Sequence, residues 1–229
     1  MAIDIPEIQK IQRAWTTKKS YIIAASCFIA GVLIFTITYL GIDSMTAMNQ
    51  QILSFMVSRR QPDTTNFMNI TSFIASAPTL IMATAIIAGF WASYKREAWR
   101  PLLLGVAMVL ATIMSSLLKS WLTISRPLKA DMVPPFELGF SFPSGHAISI
   151  AVLLLVMGYL IYSRHSSLQR IICWVCGTVI VTGIVAFSRL YLGQHWLTDI
   201  IGSIGLGLVI LAFIIFIDKL TTNRFPRLQ

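Results

Sequence analysis

The chain has 229 residues, of which 56% are hydrophobic and only 12% charged, and its formal net charge is +9. Because a soluble domain carries about 25% charged residues, this composition excludes an ordinary soluble domain and predicts an integral membrane protein. A basic chain can also indicate a nucleic-acid partner, but here the Lys and Arg residues flank apolar runs, which favours contact with anionic lipid and no nucleic acid.

Six apolar runs follow in chain order, each close to the ~20 residues that a helix needs to cross the hydrocarbon core. They cover residues 21–40, 67–94, 101–121, from after His146 to 162, 171–187 and 200–217. Pro78 interrupts the second run, and we expect a kink there because neighbouring helices can accommodate a proline in lipid. The pattern predicts an all-α fold, a single domain over residues 1–229 built as an integral membrane bundle of six transmembrane helices.

Two polar segments flank the first run. Residues 1–20 are basic, with Trp15 in an interfacial position, and we expect a cytoplasmic anchor. Residues 41–66 predict a short amphipathic helix, which either lies in the membrane interface or packs on the bundle as an ordinary loop helix. Its apolar residues recur at three- and four-residue spacing: Met45, Met48, Ile52, Phe55 and Met56.

The distribution of positive charge predicts the orientation. An even number of spans places both termini on one side, and most of the 18 Lys and Arg residues lie there. The positive-inside rule then makes both termini cytoplasmic. The remaining polar segments, including residues 119–199, would face the outer side of the cell (inner) membrane, toward the periplasm or exterior.

Three polar clusters interrupt the second half of the chain, at the ends of spans three to six. The first contains Lys119 and Arg126, which are seven residues apart, or two helical turns if the span continues that far. Pro127 would then end the helix. Taken alone, this pair also fits basic side chains that snorkel at a helix end.

The second cluster, Pro143-Ser144-Gly145-His146, directly precedes span four. The hydroxyl of Ser144 and the backbone N–H groups at a helix start can bind an anion. His146 at that position could donate a proton to a leaving oxygen. The alternative is a plain helix cap followed by a chance histidine.

The third cluster contains Ser188, Arg189, His195 and Asp199. Because His195 and Asp199 are four residues apart, they share one face at a helix start and can form a hydrogen bond. A carboxylate bonded to one imidazole nitrogen leaves the other as a nucleophile or base. The alternative is a helix-end hydrogen bond with no catalytic role. The planar guanidinium of Arg189 suits the oxygens of a phosphoryl group.

In this order and spacing, the three clusters resemble the three-part signature of the type 2 phosphatidic-acid phosphatase superfamily. The resemblance covers the second half of the chain, whereas residues 1–100 are similar to the family only in hydropathy. It implies a six-helix membrane phosphatase that works without a metal ion or other cofactor.

By position, the resemblance implies a role for each matching residue. His195 would be the nucleophile that takes the phosphoryl group, Asp199 would orient it, and His146 would protonate the leaving alcohol. The residues that would hold the phosphate oxygens are Lys119, Arg126, Ser144, Gly145 and Arg189.

The expected function is the removal of phosphate from a membrane lipid phosphate or pyrophosphate through a phosphohistidine. Phosphatidic acid, phosphatidylglycerophosphate and undecaprenyl pyrophosphate are the candidate substrates, with a lipid A phosphatase a further possibility. One alternative is a lipid phosphotransferase that uses the same phosphohistidine. Another is an anion transporter, which is disfavoured because no basic residue lies near the middle of a span.

Other residues carry weaker expectations. Cys27, Cys173 and Cys176 lie in apolar runs and predict neither a metal site nor a disulfide, and for Cys173 and Cys176 we expect a role in helix packing. Close helix approach is predicted at Gly202, Gly205 and Gly207, which leaves the oligomeric state open. We expect solvated loop charges, or contacts with a lipid headgroup, at Lys129, Asp131 and Glu137.

Overall fold

The protein is described by a computed structural model covering residues 5–163 and 167–224, with side chains from residue 17 onward. Within these ranges the chain forms eight α-helices, one short 3-10 helix at Lys129–Asp131 and no strand. The α-helices are α1 (Ile5–Leu40), α2 (Thr46–Ser58), α3 (Pro62–Ile74), α4 (Ala77–Lys95), α5 (Trp99–Leu122), α6 (Gly145–Tyr162), α7 (Leu168–Tyr191) and α8 (Leu197–Arg224).

In the described part of the chain, six helices are long and apolar enough to cross a membrane: α1 from Thr17 onward and α4 to α8. The predicted all-α fold with six spans is therefore confirmed. Helix α1 also runs through most of the expected N-terminal anchor, where Lys18 and Lys19 are exposed. The interfacial position expected for Trp15 concerns a side chain outside the described residues.

The prediction that residues 67–94 form a single kinked helix is wrong, because two separate helices cover them. Helix α3 ends at Ile74 and α4 begins at Ala77, with Ser76 in an extended backbone conformation between them. Pro78 stands in the first turn of α4, where its missing N–H costs nothing, whereas in mid-helix it would break a hydrogen bond. Helix α3 instead packs against α7.

Residues 41–66 form a helix as expected, and α2 packs against α7 and α8. Asn49 and Leu53 are its buried residues, and the Asn49 side-chain amide donates to Thr198 Oγ1 at 3.2 Å. Phe55, a member of the predicted apolar stripe, is exposed, so this side chain does not pack on the bundle. Contact with the membrane interface stays a prediction for that outward face.

Helices α1 and α8 run antiparallel and pack closely. The Thr17 hydroxyl donates to Asn223 Oδ1 at 3.4 Å, so α1 enters the bundle beside the end of α8. A Cβ on Gly205 would lie 2.8 Å from the Gly31 carbonyl oxygen, so only glycine permits this approach. Of the three glycines predicted to allow close helix contact, Gly205 is confirmed within the chain itself, whereas Gly202 faces the Phe142 side chain of a loop and Gly207 has only ordinary contacts.

Helices α6 and α8 form the centre of the bundle. Ile148, Val152 and Val156 of α6 are fully buried, as is Ile214 of α8. Helices α1, α4 and α7 lie outside them and turn large apolar side chains outward, as lipid-facing helices do. Because α6 begins after Ser144 and α8 begins beside His195, the two central helices bring the second and third clusters to the same end.

The outer position of α7 corrects the prediction for two cysteines. Cys173 and Cys176 are exposed on α7, whereas Cys27 of α1 is half-buried against the core. The helix-packing role expected for Cys173 and Cys176 is therefore wrong. Apolar character alone did not distinguish a lipid-facing surface from a packed one.

Candidate active site

His195 and Asp199 form a fully buried pair at the start of α8. His195 Nδ1 lies 3.0 Å from Asp199 Oδ2, which also accepts a hydrogen bond from the Trp196 backbone N–H at 2.8 Å. Ser141 Oγ donates to the other carboxylate oxygen of Asp199 at 3.3 Å. With Asp199 as acceptor, Nδ1 carries the proton and Nε2 carries the lone pair.

The environment of His195 keeps the ring neutral. Burial lowers the pKa of His195 below its usual range, against the opposing effect of the hydrogen bond to Asp199. A neutral imidazole whose Nε2 carries a lone pair is suited to attack an electron-poor atom.

Arg126 reaches His195 from a loop and not from a helix. Helix α5 ends at Leu122, where Thr123 adopts a left-handed backbone conformation with φ 52°, so the span does not continue to Arg126 and the pair is not joined by two helical turns. Arg126 NH1 donates to the Gln194 carbonyl at 2.7 Å and lies 3.3 Å from His195 Nε2.

Arg189 is supplied by the last turn of α7 and is 2% exposed. One of its terminal nitrogens donates to Ser72 Oγ of α3 and the other to the Glu137 carboxylate. Among the described residues, Arg189 Nε is buried without a hydrogen-bond partner. A planar donor with an unused N–H group can take a further oxygen of an anionic ligand.

The second cluster forms the start of α6. Ser144 is the N-cap of α6, and its Oγ accepts the Ala147 N–H at 3.5 Å. This hydroxyl therefore caps the helix, which was one of the two alternatives that the sequence left open. A Cβ on Gly145 would meet Ser115 Oγ at an ordinary 3.8 Å, so space does not require glycine there. His146, in the first turn, turns its Nδ1 toward Glu137 Oε1 at 3.4 Å.

Lys119 holds the loop that leads to α6. Its Nζ donates to the carbonyl oxygens of Phe140 and Ser141, at 2.9 and 3.3 Å. The position expected to contact phosphate therefore contacts backbone, and Lys119 adds positive charge from the edge of the site.

Glu137 is the residue that sequence reasoning missed. Its carboxylate lies 2.9 Å from Arg126 NH2, 3.4 Å from His146 Nδ1 and 3.4 Å from His195 Nε2, and it also pairs with Arg189. The expectation of a solvated loop charge is wrong. Burial would raise the pKa of Glu137, but the positive charge of Arg189 beside the carboxylate outweighs burial and holds the pKa well below its usual range. Its only sequence signal is a carboxylate between two basic clusters.

Gln194 was also missed. It is 1% exposed, and its amide donates to the carbonyl oxygens of Val133 and Pro135 at 2.7 and 3.1 Å. Its Oε1 accepts the Glu137 backbone N–H at 3.2 Å. Because Gln194 directly precedes His195, it fixes the loop that carries Glu137 relative to the histidine.

Two guanidinium groups and two imidazoles thus surround one anionic group. We call the position between Arg126, Arg189, His146 and His195 the anion seat. Its donors can bind several oxygens of a single anion at once, as a phosphoryl group requires. Within the described residues, no group of His, Cys, Asp or Glu is placed to hold a metal ion, and independence from metal stays a prediction.

A six-span bundle with this seat at one end defines the class of membrane-integrated lipid phosphatases. A family model described as the PAP2 superfamily matches residues 100–221. A curated relative, phosphatidylglycerophosphatase B of Bacillus subtilis (strain 168), is 31% identical, and the match covers 73% of this chain and 82% of the relative. The chain belongs to the PAP2 superfamily, which confirms the resemblance and the prediction of a lipid phosphate hydrolase.

Solved structures support the same fold. The crystal structure of a transmembrane PAP2-type phosphatidylglycerolphosphate phosphatase from Bacillus subtilis has a TM-score of 0.75 and 24% identity, covering 86% of this chain and 98% of that one. The crystal structure of Aquifex aeolicus LpxE has a TM-score of 0.54 and 19% identity, covering 74% and 94%. The protein is therefore an integral membrane protein of this helical fold.

Proposed function

We propose that the protein dephosphorylates a membrane lipid phosphate through a phosphohistidine on His195, without a metal ion. The observation that supports the proposal is that the two ring nitrogens of His195 have different partners. Nδ1 is bonded to Asp199 at 3.0 Å, while Nε2 faces the anion seat 3.3 Å from Arg126 NH1.

In the first step, the lone pair of His195 Nε2 attacks phosphorus and the ester P–O bond breaks. The bonding electrons go to the leaving alcohol oxygen, which takes a proton from His146. Asp199 stabilises the positive charge that the ring gains. Arg126 and Arg189 offset the negative charge that builds on the phosphoryl oxygens, which is the main demand of phosphoryl transfer.

In the second step, water attacks the phosphorus of phosphohistidine. His146 now accepts a proton from the water, by reversal of its first role. The P–N bond breaks, its electrons return to Nε2, and inorganic phosphate leaves. Both steps use the same fixed cations, so no metal ion has to supply positive charge.

A lipid substrate is supported by the surface beside the seat. Ser72, which contacts Arg189, lies on α3. The outward face of this helix carries four exposed apolar side chains: Phe67, Ile70, Phe73 and Ile74. Hydrocarbon chains could lie along this face while the headgroup enters the seat. We place phosphatidylglycerophosphate first among the candidate lipids because the Bacillus subtilis relative carries its name.

The proposed location is the cell (inner) membrane, with the seat on the outer side. Helices α1 and α8 meet at the bundle end opposite the seat, as the bond between Thr17 and Asn223 indicates. Because most Lys and Arg residues among the described side chains lie at that opposite end, the positive-inside rule makes it cytoplasmic.

The test is phosphate release by the protein purified in detergent with excess EDTA. The substrates are phosphatidylglycerophosphate, phosphatidic acid and undecaprenyl pyrophosphate, and His195→Ala is measured in parallel. We expect release that survives EDTA and vanishes in the variant, fastest with phosphatidylglycerophosphate. Undiminished release by the variant would remove His195 as the nucleophile. A new phospholipid without free phosphate would indicate transfer to a lipid acceptor instead.

A further inference from the structure

Glu137 contacts every member of the anion seat. One carboxylate oxygen, Oε2, lies 2.9 Å from Arg126 NH2 and 3.4 Å from His195 Nε2. The other, Oε1, pairs with Arg189 and lies 3.4 Å from His146 Nδ1. No other carboxylate among the described residues has this set of partners, and the mechanism above gives Glu137 no task.

The carboxylate and a phosphoryl group cannot hold these positions together. Both are compact anions with oxygens that accept from guanidinium forks, and Oε2 stands in front of the atom that must attack phosphorus. Two anions in one seat would also repel each other strongly at reduced dielectric. A bound phosphoryl group therefore requires that the Glu137 side chain leave.

The surrounding loop allows the side chain to leave without unfolding. Gln194 holds the backbone of Glu137, and Lys119 holds the carbonyl oxygens of Phe140 and Ser141, so the loop is fixed on both sides of the residue. The Glu137 side chain itself is 27% exposed, which gives it a path toward solvent. Staggered rotamers are the alternative positions open to this side chain while the backbone stays in place.

We propose that Glu137 determines specificity as an internal competitor: its carboxylate fills the anion seat and excludes free anions in favour of a lipid-borne phosphate. This inference rests on the proposed function, because it takes the seat to be the phosphoryl site. A lipid phosphate gains binding from its hydrocarbon chains and from its confinement in the bilayer, and this offsets the cost of displacing Glu137. Inorganic phosphate has neither advantage, so the returning carboxylate also favours product release.

The experiment measures the dissociation constant of orthovanadate, a phosphate analogue, for the protein purified in detergent at fixed pH and ionic strength. Glu137→Gln removes the charge and nearly keeps the shape. A competitor that fills the seat nine-tenths of the time weakens apparent binding about tenfold, so we expect the variant to bind orthovanadate at least about tenfold more tightly. Inorganic phosphate should become a correspondingly stronger inhibitor of lipid hydrolysis.

Two further variants keep the test decisive. Asp131→Asn removes a carboxylate six residues earlier in the same loop, where Arg60 contacts only the backbone carbonyl, and it should leave the constant within about twofold. Glu137→Asp keeps the charge but shortens the side chain, so it should also tighten binding, and it serves where Glu137→Gln does not fold.

Unchanged or weaker orthovanadate binding in both Glu137 variants would overturn the inference, as would equal tightening by Asp131→Asn. The binding measurement needs no lipid turnover, so it is separable from the proposed function. If wild-type protein hydrolyses lipid and the Glu137 variants bind orthovanadate no better, only the inference fails. If the variants bind more tightly but no lipid is hydrolysed, the proposed function fails, and with it the preference for a lipid-borne phosphate, while the competition between Glu137 and free anions stands.

Discussion

The side chains of the anion seat are held by residues outside the three sequence clusters. Arg189 is oriented by Ser72 of α3, and His195 is followed by a backbone N–H, from Trp196, that binds the same Asp199 oxygen as the ring. Such partners fix ring and guanidinium orientation before a ligand arrives, and this lowers the cost of forming the transition state.

Ser72→Ala tests this positioning at the level of a single residue. A hydrogen bond to a charged group contributes about 1.5–3 kcal/mol, so we expect kcat/KM to fall roughly tenfold or more, because Arg189 loses its fixed direction. Steady-state kinetics in detergent micelles would measure it, and the defect should appear in kcat rather than in KM alone.

Two variants control for structural damage by Ser72→Ala. Ser72→Thr keeps a hydroxyl at the same place and should restore most of the rate. Thr71→Ala removes an exposed hydroxyl that donates to Phe67 within the same helix, and should change kcat/KM little. A loss in Thr71→Ala as large as that in Ser72→Ala would contradict the positioning role.

Much of the fold and part of the site could be predicted from the sequence. Apolar runs of sufficient length give the membrane helices, and the four-residue spacing of His195 and Asp199 gives their hydrogen bond, because both depend on local geometry. Glu137 could not be predicted, since its four partners lie in four separate parts of the chain and a loop carboxylate is usually solvated. Gln194 and Ser72 could not be predicted either, because their partners are also distant in the sequence.

The break between α3 and α4 was missed at the scale of elements. Hydropathy is continuous across residues 67–94, so the apolar pattern could not separate one kinked helix from two. Ser76-Ala77-Pro78 carries the usual signal of a helix start, with Ser before the helix and Pro in its first turn. Giving that local signal more weight than hydropathy would have produced the correct boundary.

The packing of α1 on α8 gives the second prediction. A Cβ on Gly205 would lie 2.8 Å from both the Gly31 carbonyl oxygen and the Phe35 nitrogen, so Gly205→Ala must push the helices apart. Overpacking of this kind costs about 1–3 kcal/mol, and we expect a lower Tm in detergent. Gly183→Ala on α7 is the matched control, because its Cβ would meet nothing within 4 Å. Equal Tm values for the two variants would contradict the packing argument.

At the scale of the whole molecule, the proposed orientation can be tested by labelling. In a background without Cys27, Cys173 and Cys176, one cysteine replaces exposed Asp63 at the end that carries the seat, and another replaces exposed Ala98 at the opposite end. A maleimide that does not cross membranes should label Asp63→Cys in intact cells and Ala98→Cys only after lysis. The reverse pattern would place the seat on the cytoplasmic side.

The reacting groups and the exposed apolar face of α3 come from different elements, and this affects how the lipid specificity of such an enzyme can change. The bond-breaking groups come from the ends of α6, α7 and α8 and from one fixed loop, while α3 enters the cluster through Ser72 alone. Side chains such as Ile70 and Phe73 face away from the cluster and are exposed. Exchanging them would alter which hydrocarbon chains fit while leaving the cleavage machinery intact, so a lineage could acquire new lipids by changing one helix face and inherit its chemistry unaltered.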